Sequence, residues 1–94
     1  MFTDTSRLVA FEDRVKGADP KDPVLFAALV REGLQLLGLL HKDLADDLAM
    51  ARPTVTRWIN GTVSPHPAMR SATYKLLLKR SAAVRRSQRI AAVA

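Results

Sequence analysis

The chain has 94 residues, 48% of them apolar and 5% aromatic, with no cysteine and a formal net charge of +6. That suffices for one domain with a real core and not for two, and it excludes disulfide frameworks and cysteine-based metal centres. The charge is unevenly placed: residues 1–50 carry six Lys/Arg against nine Asp/Glu, whereas residues 51–94 carry nine Lys/Arg and no acid. An acid-free basic half implies an anionic partner, with nucleic acid ahead of a membrane surface. The longest apolar run, VLFAALV, breaks at Arg31 and Glu32, so no membrane span is expected. The opening MFTDTSR has an early acid and no apolar core of a secretory signal, and a cytoplasmic location is expected.

In chain order, Leu8, Phe11 and Val15 stand at i, i+3, i+7 and predict an N-terminal helix within 1–17. Arg7, Glu12, Asp13, Arg14 and Lys16 flank that stripe, and Asp4 or Thr5 is its cap. The connector GADPKDP ends in Asp22-Pro23, a start signal with Asp as N-cap and Pro at the first helical position. A helix over 23–37 follows, polar only at Arg31, Glu32 and Gln35, so it is read as the central core helix and a candidate subunit contact. Gly33 inside it costs about 1 kcal/mol relative to Ala, which a close helix approach would explain. HKDLADDL forms a short helix with Leu44 and Leu48 inward and Asp43, Asp46 and Asp47 outward, a solvated face rather than a metal site. PTVTRWIN is a second short helix, opened by Pro53 and ended by Gly61. After TVSPH, where His66 is a loop residue without a role, a helix runs from about Pro67 to near Ile90 with Met69, Ala72, Leu76 and Ala83 along one side. The expected fold is all-α and single-domain: an N-terminal helix in 1–17, a core in 22–80 and a basic C-terminal extension in 81–94.

A helix of about eight residues is marginal alone, so PTVTRWIN must be held by packing. Val55, Trp58 and Ile59 supply the inward face, which makes Trp58 core rather than a base-stacking platform. Thr54, Thr56 and Arg57 are left outside, and the small Ala45 lets the second helix cross the first closely. The set Leu44-Ala45, Leu48, Ala49-Met50, Val55, Trp58 and Asn60-Gly61 resembles the helix-turn-helix of the Cro/C1-type (lambda-repressor-like) DNA-binding family, and the match extends over about residues 22–80. It implies a small lambda-repressor-like bundle of about five helices, with an extra helix at the N-terminus. Four positions depart from the pattern: Ala49 replaces the usual turn Gly, Ala51 a capping Ser or Thr, and His41 a Gln, while Arg52 precedes a proline. A slightly reshaped turn and a recognition helix starting one residue later are therefore expected.

The resemblance implies a recognition helix in the major groove. Arg52, Pro53, Thr54, Thr56 and Arg57 are the expected base readers, and Arg57 leads because a guanidinium bonds both acceptors of a guanine. His41, Lys42, Ala51, Asn60 and Arg70 are the expected phosphate contacts. Lys75, Lys79, Arg80, Arg85, Arg86 and Arg89 scatter around their helix, in part solvating and in part reaching phosphate. Lacking a phosphate loop, a cysteine or a carboxylate pair in a cleft, the chain is not expected to be an enzyme or to carry a cofactor. The reading is a sequence-specific double-stranded DNA-binding transcriptional regulator, repressor-like, autoregulatory, of phage or mobile-element type, and nucleoid-associated. It would act as a homodimer on an inverted repeat, with 23–37, the N-terminal helix and Leu76–Val84 as candidate interfaces. One rival is a protein-interaction module, anti-activator or antitoxin-like, that uses the acidic N-terminal half. Another is an architectural protein that binds DNA without specificity through the basic half.

Overall fold

The computed structural model describes residues 4–93, with side-chain surroundings through Arg89. Residues 1–3 of the N-terminal segment and residue 94 of the C-terminal extension lie outside the described residues. The described chain is all-α: α1 (Thr5–Lys16), α2 (Pro23–Leu37), α3 (His41–Leu48), α4 (Arg52–Ile59) and α5 (Pro67–Val93). Local chemistry sets the early boundaries. Asp4 accepts from the Ser6 N–H at 2.9 Å, and Asp22 accepts from Val24 and Leu25 at 3.1 and 3.0 Å, with Pro23 opening α2 where its missing donor costs nothing. Gly38, at φ 65°, closes α2 in the left-handed region.

The apolar face of α2 is its organising surface. Phe26 lies between Trp58 of α4, 6.2 Å away edge-on, and Tyr74 of α5, 5.6 Å away. Leu8, Phe11 and Val15 of α1 are buried as their spacing predicts. Gly33 is where α1, α2 and α5 converge: a Cβ there would stand 2.8 Å from Phe11 Cζ and 3.2 Å from Leu77 Cδ2. The close approach expected at Gly33 is therefore present, and the helix-propensity cost of glycine is offset by the packing it permits. The face of α2 expected to reach another subunit is largely covered within the chain, because Phe26, Ala27, Leu29, Val30, Gly33 and Leu34 are all buried.

Three expectations need correction. The buried side of α5 is Arg70, Thr73, Tyr74, Leu77 and Ser81; of the expected stripe, Met69 and Leu76 pack partly buried against the core, whereas Ala72 and Ala83 are exposed. The basic extension expected in 81–94 is, through Val93, a continuation of α5, and its first residue, Ser81, is fully buried. Glu12, read as a flanking surface charge, is buried at 4% exposure and holds α1 to α5: it accepts from Ser81 Oγ at 2.7 Å and from Arg85 Nε and Nη2 at 2.6 and 2.9 Å. All three have one cause. Hydrogen bonding makes buried polar side chains tolerable, and an apolar pattern does not register them.

Candidate nucleic-acid interface

The site begins at the end of α2, where the chain bends by 110° into α3. Leu40 has no side-chain acceptor for the first turn of α3, so Asp43 reaches back and accepts from the Leu40 N–H at 2.8 Å. The turn after α3 is the three residues Ala49, Met50 and Ala51. Ala49 adopts φ 54° and ψ 41°, with its N–H bonded to Asp46 O at 3.2 Å and the Met50 N–H bonded to Ala45 O at 2.9 Å. These bonds form the motif that normally selects glycine, so the turn keeps its left-handed form with an alanine in place, and the expected reshaping does not occur. The cost is about 1 kcal/mol of strain. Ala49→Gly is expected to raise stability by roughly 0.5 kcal/mol, the relief being partly offset by the freer unfolded chain. Thermal unfolding checks this, and an unchanged or lowered midpoint would contradict the strain assignment.

α4 starts at Arg52, with Pro53 at its second position and Ala51, extended at φ −70° and ψ 138°, as its cap residue. The later start expected from the Arg52-Pro53 pair is not seen, since the first turn of a helix tolerates proline and Ala51 O accepts from the Thr54 N–H at 3.0 Å. Val55, Trp58 and Ile59 are buried, which anchors the short helix on α2 and α3. Pro53, Arg57 and Asn60 then point outward and are exposed, with Arg52 exposed at the helix start. Thr54 and Thr56 sit half-buried on the shoulders. Thr56 Oγ1 lies 3.0 Å from His41 Nδ1, a pairing that ties the first residue of α3 to the middle of α4.

Beside this face lies a groove of about 460 Å³. Its floor is Leu34, Leu39, Leu40 and Ile59, and its rim is Arg31, His41, Lys42 and Arg52, with no acid among them. The structure thus brings together three expected contacts, His41, Lys42 and Arg52, and adds Arg31, which sequence reasoning missed. Arg31 reads as a solvated position on α2, and only the bend into α3 places it beside the start of α4. Ala51 is exposed at the same end of α4, and Asn60 lies at the other end.

One expected contact, Arg70, has another role, and His66, read as a loop residue without one, has a structural role. Arg70 is only 8% exposed, and its guanidinium donates to Pro65 O at 2.9 Å, to Ser64 Oγ at 3.1 Å and to Pro20 O. It clamps both connectors onto α5, and its guanidinium is spent on acceptors within the chain rather than offered at the surface as a phosphate contact requires. His66 caps α5, its Nδ1 accepting from the Ala68 N–H at 3.2 Å.

The acids are mostly engaged inside the chain. Asp4, Asp19, Asp22 and Asp43 accept backbone N–H groups, while Glu12, Glu32 and Asp47 pair with Arg85, Arg14 and Arg80. Three of the nine acids are thus offset by an arginine, while the capping aspartates, Asp13 and Asp46 keep their negative charge. Comparisons with protein-family models, with curated proteins and with solved structures find no match to this chain.

Proposed function

We propose that the chain is a sequence-specific duplex-DNA binder of the Cro/C1-type kind, which inserts α4 into the major groove and acts as a repressor-like, autoregulatory factor at the nucleoid. One observation carries the reading: the outward face of α4, with the Arg57 guanidinium exposed and without a partner among the described residues, adjoins a groove rimmed by Arg31, His41, Lys42 and Arg52 with no acid in its lining. Phosphates on either side of a major groove need cations flanking a protruding helix, and base edges need a donor at its tip. Arg57 supplies the donor. Arg52, Lys42 and Arg31 supply the flanking charge, and His41 holds Thr56 in register between them. Eight residues of α4 reach too few base pairs for useful specificity, so two copies would share an inverted repeat.

The acidic-surface rival loses support from the pairing of Glu12, Glu32 and Asp47 with arginines. Arg57→Ala is expected to reduce the preference for the selected site over a scrambled duplex by roughly tenfold to a hundredfold, as the loss of one bidentate guanine contact implies. The site would be selected from random duplexes, beginning with the DNA upstream of the chain's own gene, and affinities read by fluorescence anisotropy. Equal preference in the variant and the parent would remove Arg57 from the reading face. A strict monomer by sedimentation, with and without the selected duplex, would remove the two-copy arrangement.

A further inference from the structure

The cations of α5 appear scattered in sequence, but the structure sorts them. Arg70 is buried against carbonyls, Arg80 is paired with Asp47 and Arg85 with Glu12. What remains is Lys75, Lys79, Arg86 and Arg89, all exposed and without a partner among the described residues. At 3.6 residues per turn these four fall within about 80° of arc, on the side of α5 turned away from Leu77. They extend along about 21 Å of helix, roughly the rise of six base pairs. We infer that this outer face of α5 is a second nucleic-acid surface, which grips the sugar–phosphate backbone of duplex DNA without regard to base sequence and separately from α4.

Three features select that occupant. A face that serves only for solvation mixes both signs of charge, whereas the 27 residues of α5 contain no acid. A helix that lies in an anionic membrane surface needs large apolar side chains beside its cations. Here Ala68, Ser71, Ala72 and Ala82 stand among and beside the cations, and the larger Leu78 at the edge of the arc is packed against the core, so lysine and arginine can approach a rigid polyanion with no large described apolar side chain free to enter a bilayer. A second copy of the same face is repelled, so this side of α5 is not a self-pairing interface, and the candidate stretch Leu76–Val84 cannot dimerise through it. The surface does not require α4 to read sequence.

The test measures affinity for a random-sequence duplex against salt for the full chain and for the variant K75Q/K79Q/R86Q/R89Q. Glutamine keeps helix propensity, and all four residues are exposed, so circular dichroism and the thermal midpoint should be unchanged. Loss of four phosphate contacts should lower the slope of log affinity against log salt by about 3–4, and the double variant K75Q/K79Q by about half of that. Between about 50 and 200 mM salt the parent should lose roughly a hundredfold more affinity than the quadruple variant. Arg57→Ala should leave this random-duplex slope intact, so failure of the base-reading proposal and failure of this one are separable. An unchanged slope in the quadruple variant would overturn the inference. So would absence of random-duplex binding at about 50 mM salt, or parent binding to phosphatidylserine vesicles that the quadruple substitution abolishes while the DNA slope persists.

Discussion

Arg70→Met is expected to unfold about 15 °C below the parent while keeping full DNA affinity at temperatures where it remains folded. The guanidinium is buried and holds acceptors from two connectors: Pro20 on the way into α2, and Ser64 and Pro65 on the way into α5. Hydrogen bonds from a charged donor contribute about 1.5–3 kcal/mol each, and removing the donor leaves buried carbonyls without a partner. Partial access of water to Pro20 reduces the loss, so the net cost is about 3 kcal/mol. At about 4–8 °C per kcal/mol for a chain of this size, the shift follows. Arg70→Lys should recover little, because an ammonium at the end of a flexible stem cannot reproduce a planar fork aimed at three oxygens. Urea unfolding and anisotropy on the same preparations decide the matter. A variant of parental stability with weakened DNA binding would restore Arg70 to the phosphate contacts.

Arg70 also shows where the sequence stops being legible. Helix ends were readable wherever the signal is local: Asp22-Pro23 opens α2, and the run from Pro53 to Gly61 frames α4 to within a residue. The inward faces of α1 and α4 were readable because Leu8, Phe11, Val15 and Val55, Trp58, Ile59 are apolar at helical spacing. What escaped is polar and long-range. Arg70 finds its carbonyl 50 residues away, and Glu12 finds Ser81 and Arg85 at separations of 69 and 73. No periodicity reports such pairs, and a charged residue flanking an apolar stripe reads as solvated until its partner is placed. Arg31 escaped for a related reason, since its neighbours depend on the bend between α2 and α3. The α5 stripe was hidden by the opposite error: three cations with internal partners obscured the alignment of the other four. Of the candidate site, the outward residues of α4 and the rim residues His41, Lys42 and Arg52 could be named one by one, while their convergence with Arg31 around one groove could not.

Glu12→Gln is expected to cost about 2 kcal/mol at neutral pH, less than the 3–5 kcal/mol of a fully enclosed pair, because Arg85 keeps about a third of its side chain in water. The larger signature is the pH dependence. Hydrogen bonds from Arg85, and then from Ser81, hold the Glu12 carboxyl below its ordinary 4.5, outweighing the burial that pushes it up. A depressed native value means that the unfolded chain binds the proton more readily. The carboxylate's contribution is therefore full above about pH 4.5 and is lost as pH falls through the lowered native value. The stability difference between parent and Glu12→Gln should accordingly shrink between neutral pH and pH 3, read by urea unfolding at each. Arg85→Met removes the stronger pull and leaves the burial, so the Glu12 carboxyl should titrate at higher pH than in the parent, as followed by NMR. A parent–variant gap constant across that range would show that Glu12 contributes by packing and not by charge. The pairing also bears on the nucleic-acid surface. Arg85 stands one residue from Arg86, and Glu12 keeps its charge internal, so protonating Glu12 both loosens α1 and adds a free cation beside the outer face of α5.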